Sequence, residues 1–186
     1  MSNPLWPCER DALRPPEKLT VSEWADKHRV LDAHQPEPGP WRTARVPYMR
    51  AIMDAFADPQ VTMITFIKST QVGGTEALIN CVGYAVDQDP GPAMWVVPKN
   101  DLIGDFVHHR LMPAIEATKR LNDQVRDGRT DWGKRGIVFE RMPLFLGSAN
   151  VPADLASMPV RYLFLDEVDK FPLFSGREAD PISLAI

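Results

Sequence analysis

The sequence predicts an α/β fold: a mainly parallel sheet covered by helices on both faces, three layers in all. Two observations carry this. Short apolar runs rich in β-branched and aromatic residues recur along the chain, VTMITFI at 61–67, AMWVVP at 93–98 and VRYLFLD at 160–166. Runs of this length without polar alternation read as strands buried on both faces. Between them lie longer stretches with apolar residues at helical spacing, and strands alternating with helices build parallel sheets.

The elements follow in order. Eight of the 18 prolines fall within the first 47 residues, so residues 1–46 form an arm of extended and turn segments. One helix interrupts it, in LTVSEWADKHRVL. Thr20 and Glu23 have capping-box spacing there, and Val21, Trp24, Ala25 and His28 follow at helical intervals. A second unit, residues 47–186, opens with a helix over 48–56 just past Pro47. VTMITFI, bounded by DPQ, is expected to be a buried strand. The next helix runs over 75–86 and stops at DQDPGP. AMWVVP is the second strand. NDLIGDFVHHRLMPAIEAT is a long helix with an irregularity near Pro113. GIVFE and MPLFLGS form a short strand pair, and VRYLFLD is the last strand. No internal repeat or low-complexity tract is present.

Bulk properties narrow the function classes. With 186 residues, 44% of them hydrophobic and 25% charged, the composition is that of an ordinary globular domain. No apolar run approaches the ~20 residues of a membrane helix, and the N-terminus lacks the build of a secretory signal. Cys8 and Cys81 lie far apart and form no metal-ligand pattern, which indicates a reducing, intracellular setting. A net charge of -4 does not advertise nucleic-acid binding, although it leaves room for a local basic face. Residues 119–135 hold Lys119, Arg120, Arg126, Arg129, Lys134 and Arg135 against Asp123, Asp127 and Asp131. That stretch reads either as a solvated loop or as a DNA- or subunit-facing one.

The chemistry gathers at FIKSTQVGGTE, residues 66–76. Set against G-x-x-x-x-G-K-[ST], Gly73 takes the second glycine position, Gly74 the lysine position and Thr75 the hydroxyl position, while Lys68 stands at the first glycine. A phosphate loop wraps oxygens with backbone N–H groups and aims a helix N-terminus at them, which calls for small residues at Gly73 and Gly74. Thr75 then offers its hydroxyl to magnesium. A cation is still required near the β- and γ-phosphate oxygens. Lys68, at the strand–loop junction, can fold its stem over the loop to supply it. The loop as a whole, Lys68, Ser69, Thr70, Gln71, Val72, Gly73, Gly74 and Thr75, is the candidate ATP cradle.

The second half of the signature is VRYLFLDEVDKF. The apolar run delivers Asp166 and Glu167 to the C-terminal end of a strand, where open α/β sheets bind their ligands. Asp166 can hold Mg2+ through its water shell, and Glu167 can orient and deprotonate an attacking water. Asp169 reads as a possible cap for the following segment.

Together KSTQVGGTE, GSANVPADLASMPVRYLFLDEVDKF and GPWRTARVPYMRAIMDA resemble the terminase large subunit of tailed phages, in its lambda-like GpA branch, from about residue 19 onward. The resemblance implies a P-loop ATPase domain of the RecA-like (ASCE) type that drives packaging of double-stranded DNA into a procapsid in the host cytoplasm, using ATP and Mg2+. It also implies a small terminase subunit and the portal as partners, a homo-oligomeric active form, no membrane, and a metal-dependent nuclease that cuts DNA in the full-length protein. By position it maps the phosphate-loop lysine to Lys68, the magnesium hydroxyl to Thr75, and the acidic pair to Asp166 and Glu167. The aromatic that flanks adenine maps to Tyr48, with Trp41 as competitor and core packing as the other reading of Tyr48. Gln71 stands where some relatives carry arginine, so no arginine-finger role transfers there. Ser148 and Asn150 match the family pattern without a physical role beyond turn chemistry. The family's coupling strand, the rest of its sheet and its nuclease are expected beyond Ile186.

Two other readings stay open. DEVD resembles the box of superfamily 2 helicases, although that class usually carries lysine where Gly74 stands. The chain could also be a truncated nucleotide-binding or docking module without activity. For the arm, burial of Trp24 against the ATPase core competes with docking to the small subunit.

Overall fold

A computed structural model describes Trp6 and residues 17–126, 136–156, 158–176 and 179–186. Thr20 caps helix α1 (Val21–His28): its hydroxyl accepts from the Glu23 amide, and the Glu23 carboxylate accepts from the Thr20 amide at 2.8 Å. The chain then forms a small antiparallel ribbon, β1 (Val30–Leu31) with β2 (Gly39–Pro40), and enters α2 (Met49–Ala55) past Pro47. Helix α3 (Gly74–Gln88) is the longest element and is followed by β3 (Ala93–Val97).

The long helix expected after β3 is broken. It consists of α4 (Leu102–Phe106), a π-helical turn over Val107–Leu111, and α5 (Met112–Ala117). Pro113 explains the interruption, because it has no N–H to give the preceding turn and its ring crowds the carbonyl below. A one-turn helix α6 (Lys119–Asn122) follows. β4 (Gly136–Val138) and β5 (Pro143–Ser148) form the expected antiparallel pair. After α7 (Pro152–Ala156), β6 (Tyr162–Leu165) returns to the sheet, and α8 (Pro181–Ala185) closes the chain.

The sheet has the order β4-β5-β3-β6. β3 runs parallel to both β5 and β6, and only β4 is antiparallel. β3 is buried along its whole length, and its residues alternate between two cores. Ala93, Trp95 and Val97 face the larger one, with α1, α2, α3 and the broken helix. Met94 and Val96 face the smaller one, with Ala149, Leu155, Leu163, Leu165 and Leu184. An aromatic stack crosses the larger core: Trp95 lies 4.7 Å from Phe106 and 5.9 Å from Phe164, and Phe164 lies 5.6 Å from Phe56.

The arm's helix is folded onto this core. Trp24 is fully buried and donates its indole N–H to Asp87 at 3.0 Å. Its ring occupies the space over Gly83, where an added Cβ would stand 2.6 Å from Trp24 Cζ3. Ser22 donates its amide and its hydroxyl to the two Asp54 carboxylate oxygens, tying α1 to α2. The Trp24 face is therefore covered by the chain's own core, the first of the two outcomes expected for it.

One expected strand does not form. Residues 61–67 have no strand pairing, and Val61, Met63, Ile64 and Ile67 are exposed, Ile67 by 93%. Only Phe66 of this run packs against the core. A strand exists through its neighbours, which take its N–H and C=O groups and cover its side chains. Among the described residues nothing pairs with this run, and β6 has β3 alone as partner.

Of the basic stretch, Lys119 pairs with Asp123, Arg120 with Asp87, and Arg126 donates to the Glu140 carbonyl. Asp127, Arg129, Asp131, Lys134 and Arg135 lie outside the described residues, as does Cys8. Cys81 is buried, and burial pushes its thiol up to about 12. Among the described residues no helix is long and apolar enough to cross a membrane.

Candidate functional site

The turn before α3 is shaped by left-handed backbone. Gln71 has φ 59° and Gly73 has φ 82°; at Gly73 glycine carries this conformation without steric cost. The first helical bond runs from the Ala77 amide to the Gly73 carbonyl, so the amides of Gly74, Thr75 and Glu76 have no acceptor within the 15-residue helix at its positive end. Gly74 answers to a different demand. A Cβ there would lie 2.6 Å from Lys68 Cδ, and closer still to Cε. The Lys68 stem thus lies directly over the position where the loop consensus would place its own lysine.

The other carboxyl-bearing strand end is close by. The Asp166 amide donates to the Val96 carbonyl at 3.2 Å, extending the β6–β3 ladder by one residue and fixing the carboxylate at the sheet's C-terminal edge. The Thr75 hydroxyl donates to Asp166 Oδ2 at 2.9 Å, across 91 residues of sequence. Asp166 is 8% exposed. Burial pushes its carboxyl above the usual range, the Thr75 hydrogen bond opposes this, Glu167 adds to it, and Lys68 opposes it again. Lys68, Thr75 and Asp166 therefore share one electrostatic neighbourhood.

Glu167 turns away from the strand with φ 56°, a left-handed conformation uncommon for a residue with a side chain and frequent at functional sites. Its carboxylate accepts from Lys170 Nζ at 2.9 Å, and both groups are half-exposed. Asp169 lies with Lys170 on the short 3-10 turn that follows Glu167.

Tyr48, the residue before α2, is 52% exposed and donates its hydroxyl to the Val72 carbonyl at 3.0 Å. It stands against the loop. Trp41 is buried and donates to Thr43 Oγ1, so it is a core residue, and of the two aromatics named for the adenine position only Tyr48 has an exposed ring. Ser148 is buried beside Asp154, and Asn150 is exposed.

Two features escape a reading of the sequence. Lys170, beside Glu167, is visible in DEVDK but has no loop consensus to announce it. The second is an ion cluster at the first turn of α3. Glu76 is buried, and its Oε2 accepts from Arg29 Nη2 at 2.9 Å; its Oε1 accepts from Gln35 Nε2 at 3.3 Å and lies 3.6 Å from Arg110 Nη1. Arg29 and Glu76 stand 47 residues apart, and nothing local to either signals the pair.

The family described as the phage terminase large subunit gpA, ATPase domain, matches residues 35–186. The chain is also similar to the terminase large subunit of Escherichia phage lambda, with 27% identity over 101 residues, a stretch covering 54% of this chain and 15% of that protein. No solved structure matches.

Proposed function

The chain belongs to the family of phage terminase large-subunit ATPase domains of the gpA type, and on that premise we propose that it is the ATP-hydrolysing part of a DNA-packaging motor with a RecA-like phosphate loop. Residues 47–186 form the ATPase unit in this reading, and residues 1–46 an arm whose helix α1 packs on that unit's core. One observation carries the assignment: Thr75 and Asp166, from the two halves of the signature, meet at 2.9 Å beside Lys68.

The donor set suits magnesium. A threonine hydroxyl and a carboxylate are hard oxygen ligands, and this ion usually takes few protein ligands while keeping waters and phosphate oxygens. Thr75 and Asp166 would hold the ion; when bound, it neutralises charge developing on the β- and γ-phosphate oxygens.

The chain's own residues do the rest. The amides of Gly74, Thr75 and Glu76 cradle phosphate oxygens. Lys68 brings the ammonium that the Gly74 position lacks. Glu167 orients a water and takes its proton as the water oxygen attacks the γ-phosphorus, while the bond from that phosphorus to the β,γ-bridging oxygen breaks and ADP leaves. Tyr48, whose hydroxyl is bonded to the Val72 carbonyl, is the aromatic side chain that would flank the base. Packaging of double-stranded DNA, assembly into a homo-oligomer, engagement of a small subunit and portal, a nuclease elsewhere in a longer protein, and a place in the host cytoplasm all follow from the family rather than from this geometry.

The test is Glu167→Gln. It should bind Mg–ATP with near wild-type affinity and lower turnover by about 10²-fold or more. Unchanged turnover would remove Glu167 from the base role.

A further inference from the structure

The phosphate turn carries an acidic residue where an anion is meant to bind. Glu76 lies in the first turn of α3, and its buried carboxylate is held by Arg29, Arg110 and Gln35. A carboxylate there is well placed for the helix dipole. It is badly placed for an incoming phosphate, which seeks the same positive end and carries the same sign. The conflict is removed only if the Glu76 charge is cancelled locally.

Arg29 does this. Its side chain is fully buried and its Nη2 sits 2.9 Å from Glu76 Oε2. Its Nη1 donates to the Val30 carbonyl and reaches Thr118 Oγ1 at 3.4 Å. Nε is buried without a hydrogen-bond partner among the described residues. Burial pushes the guanidinium down and Glu76 counteracts that. Such a pair is a poor way merely to hold a helix, since apolar residues of similar volume commonly pack with no loss of stability. Arg29 also precedes the family match, which starts at residue 35, while Glu76 lies inside it.

We infer that Arg29 is a positioning residue for the phosphate turn: it neutralises Glu76 and so keeps the first turn of α3 receptive to the nucleotide's phosphates. The inference rests on the nucleotide reading of the loop. Arg110, half-exposed and 3.6 Å from the other carboxylate oxygen, plays a lesser part.

The experiment uses the 186-residue chain, a fluorescent ATP analogue with magnesium, and amide hydrogen exchange. Arg29→Met should weaken binding of the analogue about tenfold or more, through the uncompensated charge at the turn. Arg29→Met/Glu76→Gln should return to within about threefold of wild type, because the charge leaves with its partner. A role in stability alone predicts instead that affinity follows melting temperature and that the double variant stays weak; that result would overturn the inference. Should Arg29→Met fail to fold, Glu76→Gln alone decides. With Arg29 left in excess, it should bind the analogue more tightly, and unchanged or weaker binding would count against the inference. If the wild-type chain binds no nucleotide, the functional reading falls, and exchange speaks for the positioning alone. Arg29→Met must then quicken the amides of residues 74–77 beyond those of 93–97, and a uniform change would refute it.

Discussion

Two apolar runs lead into the site, and they meet different fates. Within residues 160–166, Tyr162–Leu165 become β6, pair with β3, and hand Asp166 to the sheet edge with its amide bonded to Val96. Residues 61–67, more β-branched and no less apolar, remain unpaired and exposed and lead to Lys68. Composition does not separate the two. What separates them is a neighbour: β6 lies against β3, whereas no strand among the described residues pairs with 61–67. The acidic half of the site is thus built into the core, and the basic half rests on the contact of Lys68 with the turn it serves. Strand propensity describes fitness for a half-buried pleated surface, and it takes effect only where such a surface is on offer.

The sharpest way to break this comparison is to cut into each run. Phe164→Ala removes a ring buried between Trp95 and Phe56 and should cost about 3–5 kcal/mol of stability. Met63→Ser, in the exposed run, should stay within about 0.5 kcal/mol. Denaturant unfolding of both variants checks this. Equal losses would mean that 61–67 is packed in solution much as β6 is.

The next effect concerns the lysine that the unpaired run delivers. Gly74→Lys places a side chain where the Lys68 stem already lies. In the otherwise wild-type chain it should weaken Mg–nucleotide binding about tenfold, a loss of about 1.4 kcal/mol. In a Lys68→Ala background the same substitution has room, and it should recover part of what Lys68→Ala loses. Titration of the four variants with a fluorescent ATP analogue gives the sign of the coupling, and strict additivity would show that the two positions do not compete for one space.

The smallest effect comes from the arm. Burial lowers the imidazole pKa of His28, with Asp87 partly opposing. The unfolded chain therefore binds a proton at higher pH than the folded one. The stability contributed is complete above the ordinary histidine value near 6.5 and declines as pH falls below it toward the folded pKa. His28→Gln should flatten that part of the profile of melting temperature against pH. A profile identical to wild type would show that His28 is as solvated folded as unfolded.

Legibility in the sequence followed range. The Thr20–Glu23 capping box, the Pro113 irregularity and the β4–β5 pair were readable because their causes lie within a few residues of one another. The alternation of strands and helices gave a mainly parallel sheet for the same reason. In the candidate site, the glycines and the displaced Lys68 could be placed by loop length alone. The failure of 61–67 to pair could not, because pairing depends on what stands beside a run. The Arg29–Glu76 pair was equally hidden, since a buried arginine looks like any other arginine until the chain folds. Trp24 lies between these cases: its helix is legible, while its seat on Gly83 and Asp87 is one of two outcomes the sequence allows.

The claim on which the account turns is that Thr75 and Asp166 form a magnesium site linking the turn to the sheet edge. Equilibrium binding of ATP, titrated against Mg2+ in the wild-type chain and in Asp166→Asn, tests it most directly. The account predicts nucleotide binding that depends on magnesium in the wild type, with Asp166→Asn losing most of that dependence. Magnesium-dependent binding that survives Asp166→Asn unchanged would contradict it.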